Sequence, residues 1–161
     1  MNKLKKILCF ALTLGICTSA DSLAADGVDT RVVSALSAEG VKFSYTSSQD
    51  IKAQFQTTDT RDQLVFVSSD TNKEDEYEFR EVYAVAYNGP ALNAAKLERL
   101  LVENGNNKVG GWKLVCGDTW LVVYAVRVSA DADGATLRTA MALCAQSADE
   151  LEKEWTGQDK L

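Results

Sequence analysis

The sequence predicts one α+β domain, an antiparallel five-stranded sheet carrying three helices in the order α-β-β-β-α-β-β-α. Three observations point there. Apolar residues recur at helical steps of three and four in the last segment, and extended stretches either alternate, as from Ile51 to Gln56, or carry a continuous apolar run, as in Gln63–Ser69. The connections are short, and Gly117-Asp118 joins two alternating runs as a hairpin. No repeat, low-complexity stretch or linker divides the 161 residues, a length that suits a single core. Strands joined by short turns pair antiparallel, and amphipathic helices then gather mainly on one face of the sheet.

Residues 1–24 stand outside that domain, which spans residues 25–161. Lys3, Lys5 and Lys6 precede the uncharged, mostly apolar run Ile7 to Ile16, and small residues follow. That order is a secretory signal peptide, and its apolar run is short for a bilayer span. Cleavage is expected after Ala24, with Ser22 and Ala24 at the −3 and −1 positions, or alternatively after Ala20. Lipidation at Cys17 is disfavoured by bulky Ile16 before it. Loss of Lys3, Lys5, Lys6 and Asp21 takes the formal charge from −6 to −8. The expectation is a bacterial protein, periplasmic or secreted, with no membrane anchor left.

Asp29 can cap a first helix over Thr30–Ala38, with Val32, Val33 and Leu36 inward and Gly40 as its stop. Val41, Phe43 and Tyr45 mark an extended lead-in. Ile51, Ala53 and Phe55 alternate with Lys52, Gln54 and Gln56, a half-buried strand. Gln63–Ser69 reads as a more central strand, and a polar loop over Asp70–Asp75 leads to a third strand at Glu76–Tyr87. Pro90 is placed to start a second helix over Ala91–Glu103, with Leu92, Leu97, Leu100 and Leu101 as core candidates. Strands over Trp112–Cys116 and Thr119–Val128 form the hairpin. Asp131-Ala132-Asp133-Gly134 then delivers a final helix over Ala135–Trp155.

Histidine is absent, which removes Ser-His-Asp and Cys-His nucleophiles, imidazole metal sites and histidine pH switches. The acidic balance argues against nucleic acid as a partner. No phosphate-binding glycine loop is present, so no cofactor is implied. The remaining catalytic option is a small hydrolase using carboxylates or a Ser-Lys pair, and no short motif supports it. Asp70, Asn72, Glu74 and Glu81 fall at positions 1, 3, 5 and 12 of a calcium loop, but position 6 is Asp75 instead of glycine. A solvated loop explains them better. Asp131 and Asp133 read as turn and helix cap.

Export leaves Cys116 and Cys144 as the cysteines of the mature chain. Alternation puts Trp112, Leu114 and Cys116 on one strand face, and Cys144 lies on the apolar stripe of the last helix. A Cys116–Cys144 disulfide is therefore favoured over two buried thiols, worth roughly 3 kcal/mol in the chain-entropy model. Trp120, Val122, Tyr124 and Val126 share one face of their strand, while Leu121, Val123 and Ala125 share the other. Such a strand is covered twice, or covered once and used for association. The face of Trp120, Val122, Tyr124 and Val126 is thus a candidate surface for a protein partner or a homodimer.

Several of these stretches resemble a known family. Leu36-Ser37-Ala38-Glu39-Gly40-Val41 is similar to the opening helix, glycine and extended segment of the YbjN-type family, and Asn104–Asn107 followed by Val109-Gly110 is similar to its spacing before the fourth strand. Glu103 stands where that family carries tryptophan. The resemblance covers about residues 29–156. It implies a fold like type III secretion chaperones and a regulatory or chaperone-like binding role, and it carries over no catalytic residue.

Overall fold

The structure, a computed structural model, describes residues 27–58 and 60–161. The expected leader, its cleavage site, Cys9 and Cys17 lie outside the described residues. Asp29 opens helix α1 (Thr30–Ala38) by accepting a hydrogen bond from the Arg31 backbone N–H at 2.8 Å. Val32, Val33 and Leu36 are buried, as their spacing requires. The chain then makes β1 (Ser44–Tyr45), β2 (Ile51–Thr58), β3 (Arg61–Val67), β4 (Asn72–Glu74) and β5 (Tyr77–Gly89). Helix α2 (Ala94–Asn106), the hairpin β6 (Gly111–Cys116) and β7 (Trp120–Ser129), and helix α3 (Gly134–Thr156) complete it.

The strands form one antiparallel sheet in the order β1-β2-β3-β5-β7-β6, with β4 paired to β5 off that path. Seven strands replace the expected five. The extra two, β1 and β4, are short and one of them is wholly exposed. They form because tight turns return the backbone against a strand already in place: Asn72–Glu74 pairs Tyr77–Phe79 across a turn whose Asp75 has φ 52°. Backbone pairing of this kind needs no apolar alternation, so the side chains give no sign of it.

Helix α2 begins later than Pro90 suggests. Asn93 caps it, accepting from Lys96 N–H at 3.0 Å, and Leu92 and Leu97 on either side of the cap both pack against the core. The helix runs on to Asn106, with Leu100 inward and Leu101 exposed.

Helix α3 lies across β2, β3, β5 and β7, and α2 covers β6. Ile51, Ala53, Val65, Val67, Val82 and Ala84 of the sheet meet Leu137, Met141, Cys144 and Ala148 of α3 in one core. Helix α1 packs on the start of α3, where a Cβ on Gly134 would lie 2.3 Å from the Ala35 carbonyl oxygen. Arg80, fully buried, ties the same end together. It donates to the Ser68 and Ala130 carbonyls and, at 2.5 Å, to Asp29. None of the described helices is long and apolar enough to cross a membrane.

Candidate partner-binding surface

Strand β7 is apolar on both sides, and the helices take one of them. Val122, Tyr124 and Val126 are buried at 0%, 3% and 3% exposure, and Trp120 packs partly buried against the same core. The expected partner surface is therefore core. The 23 residues of α3 reach along the sheet over it, and α2 closes the end beside Trp112.

The opposite face is closed by its own neighbouring side chains: Val123 and Ala125 are 7% and 8% exposed yet stand outside the core that the helices share, and Leu121 is partly exposed. Val115 of β6 stands opposite Leu121, Val85 and Tyr83 of β5 stand opposite Val123 and Ala125, and Phe66 of β3 stacks on Tyr83 at 5.1 Å. Glu81 borders this apolar strip, paired with Lys113 at 2.5 Å and Arg127 at 3.5 Å. A groove of about 450 Å³ runs from these three charges to Lys108 and Gly110. Gly110, at φ 75°, is needed there because a Cβ would meet the Ala125 carbonyl oxygen at 2.8 Å.

Strand β6 ends the sheet on this side. Its neighbour beyond the edge is a side chain: Asn104 of α2 accepts from the Trp112 backbone N–H at 2.6 Å and donates to the Trp112 carbonyl at 3.0 Å. Glu103 holds the Trp112 indole N–H at 2.7 Å and also receives Arg99, which reaches on to Glu154 of α3. The rim is thus rigid at Trp112. Beyond it Leu114 and Val115 are 36% and 47% exposed, and Leu101 and Val102 of α2 are 74% and 60% exposed. These four are most of the exposed large apolar side chains among the described residues. Leu101 was expected in the core; α2 turns Leu100 inward, and Leu101, about 100° further round the helix, lies at the rim. The sequence placed Leu114 with Trp112 and Cys116 on one face of a strand, but nothing local marks that strand as an edge.

The other expected sites are placed as follows. Both described cysteines are free, Cys116 exposed and Cys144 buried, so the expected bridge is not made. The Cys144 thiol donates to the Val82 carbonyl at 3.3 Å, Val82 pairs with Val126, and Cys116 pairs with Trp120. Six residues of strand separate those two pairs, about 20 Å, where a disulfide needs Cα atoms within about 7 Å. Asp70 is exposed, Asn72 and Glu74 belong to β4, and Glu81 is held by Lys113 and Arg127. They do not converge as a calcium loop. Asp133 caps α3 by accepting from Thr136 N–H at 2.8 Å, and Asp131 pairs with Arg31.

Two buried carboxylates, Asp149 and Glu152, do converge, with exposed Asp159 beside them. Arg61 supplies their positive charge, 2.5 Å from Asp149 and 3.5 Å from Glu152. Thr57 donates to the second oxygen of Asp149, and the Lys160 backbone N–H donates to the second oxygen of Glu152. Every oxygen of the buried pair is engaged, which is the arrangement of a structural ion cluster. No protein-family model matches the chain, and no curated protein matches it.

Proposed function

We propose that this chain is an exported, non-enzymatic protein-binding module that engages a protein partner through the β6 edge and the exposed apolar side chains beside it. The observation that carries the reading is the edge itself: a strand with open backbone groups that exposes apolar Leu114 on one face and apolar Val115 on the other, beside a Lys113 whose charge Glu81 holds. Edges meant to stay unpaired are shortened or charged, as β1 and β4 are here. A peptide strand added to β6 would gain main-chain hydrogen bonds from the edge and side-chain contacts from Val115 on one face and Leu114 and Leu101 on the other. The order of helices and strands supports the YbjN-type, chaperone-like reading of the fold, and with it a regulatory or chaperone-like role.

The test is site-specific photo-crosslinking in the native envelope. A photoreactive residue at Val115 is expected to yield a discrete protein adduct, and one at Gln146, exposed on α3, none. Equal labelling from both positions, or none from either, rejects the surface. The intact mass of the recovered chain tests export through loss of residues 1–24.

A further inference from the structure

We infer that the end of β7, which β6 leaves unpaired, is a further strand-addition site that takes an extended peptide of alternating apolar and acidic residues. The inference goes beyond the reading above and does not depend on it. Strand β6 begins at Gly111, opposite Ala125, while β7 runs on to Ser129 with β5 alone beside it. The chain leaves the line of β6 at Gly110, whose φ is 75°, and the Tyr124 hydroxyl donates to the Val109 carbonyl at 2.6 Å, holding it toward the helices. Gly110 still lies against Val126, but Arg127, Val128 and Ser129 have no strand neighbour on that side.

The backbone at that position is open. In an antiparallel ladder the N–H and C=O of successive residues point alternately to one neighbour and the other. Trp112 turns both of its groups to Asn104, so Gly111 exchanges hydrogen bonds with Ala125, and Arg127 and Ser129 point the same way as Ala125. The Ala130 N–H donates to the Glu78 carbonyl at 2.9 Å on the β5 side, which fits the same alternation. Ala132 takes the Ser129 carbonyl. Both groups of Arg127 and the N–H of Ser129 are left, and no described backbone group meets them. A strand laid in line with β6 would bond to all of them.

The two faces of this position differ, and the difference sets the chemistry of the peptide. On the helix face a groove of about 450 Å³ has Val126 and Val128 as its floor and Thr136, Thr139, Ala140 and Leu143 of α3 as its wall. A peptide side chain opposite Val128 points into that groove, which suits an apolar residue. On the outer face lies the groove of Glu81, Lys108, Lys113 and Arg127. Glu81 serves both Lys113 and Arg127, and Lys108 pairs with no described acid. One carboxylate thus stands against three cations, a net positive site on a chain of charge −6. A residue opposite Arg127 shares this face, where a cross-strand charge pair favours Asp or Glu.

Fluorescence polarisation of a dye-labelled Val-Glu-Val-Glu-Val-Glu peptide is expected to show saturable binding to the mature chain, and its Val-Lys counterpart none up to about 1 mM. Arg127→Gln and Thr139→Glu, both at exposed positions, are each expected to weaken binding about tenfold or more, with melting curves as the check on folding. Strand addition is read from the peptide backbone. N-methylation at the Glu residues removes the N–H groups that face Arg127 and is expected to abolish binding, whereas N-methylation at the Val residues is expected to spare it. Absence of binding by the Val-Glu peptide at about 1 mM, equal binding by the two peptides, or equal loss from the two methylation patterns overturns the inference. Binding of laurate where the peptide fails would make the groove a site for a small amphipathic anion and reject the peptide. A peptide lost in Val115→Asp and kept in Arg127→Gln would lie on β6, which rejects this site and leaves the reading above intact.

Discussion

Cys144 and Cys116 show how far one residue type diverges with its surroundings. Burial pushes the Cys144 thiol up to about 12, whereas Cys116 sits exposed at the end of β6. The thiolate is the reactive form. Alkylation of the native mature chain at pH 8 is therefore expected to modify Cys116 alone, with Cys144 following only on unfolding, as read by peptide mass. Asp29 is a second such residue. Partial burial works against its charge, but hydrogen bonds from Arg31 and Arg80 outweigh that and hold the carboxyl well below the usual carboxylate range. A depressed acid contributes stability that is complete above its unfolded value of about 4 and is lost as pH falls from there toward the folded value. Asp29→Asn leaves buried Arg80 without its counter-charge and is expected to cost about 3 kcal/mol at neutral pH. In urea unfolding that deficit should shrink at about pH 3, because the parent protein is by then losing the same contribution.

At the scale of elements, caps and clamps matter more than exposed ion pairs. Asp133 satisfies a free N–H at the start of α3, so Asp133→Ala is expected to lower stability by about 1 kcal/mol. Asp131→Ala removes only the pair with Arg31, whose side chains are 75% and 40% exposed, and should cost less than about 0.5 kcal/mol in the same denaturation measurement. Asn104 couples α2 to β6. Asn104→Ala is expected to cost about 1 kcal/mol in the same denaturation measurement, because it leaves the Trp112 backbone without its partner. The limits of α1 and the existence of the hairpin were legible because a capping Asp and a Gly-Asp connection are local signals, although the turn takes in Thr119 as well, with Cys116 paired to Trp120. The start of α2 was misread because Pro90 and Asn93 both fit a helix start, and the choice went to the residue whose side chain satisfies an N–H. Strands β1 and β4 were illegible because backbone pairing alone makes them.

For the molecule as a whole, the packing of α1 on α3 is the contact with least slack. Gly134→Ala improves helix propensity yet brings a methyl group to 2.3 Å from the Ala35 carbonyl oxygen. The chain is expected to lose about 2 kcal/mol, seen as a lower melting temperature, because α1 must lift away from α3. Cores respond in this way because they are packed to the density of crystals, so a backbone contact cannot yield as a flexible side chain would.

The sequence by itself determined the three helices, the five longer strands and the inward faces of α1, β2 and α3, since periodicity is written in neighbouring residues. It also showed β7 to be apolar on both sides. Only the tertiary structure decided which side the helices would cover, that β6 would be the edge, and that Cys116 and Cys144 would lie some strand-lengths apart. Those outcomes depend on the order of strands across the sheet and on where α2 and α3 cross it. Contacts between segments distant in the chain set both, and local patterning does not reach that far. Trp120, Val122, Tyr124 and Val126 therefore went to the core, and the apolar surface that remained open is the β6 edge at Leu114 and Val115 with Leu101 and Val102 of α2.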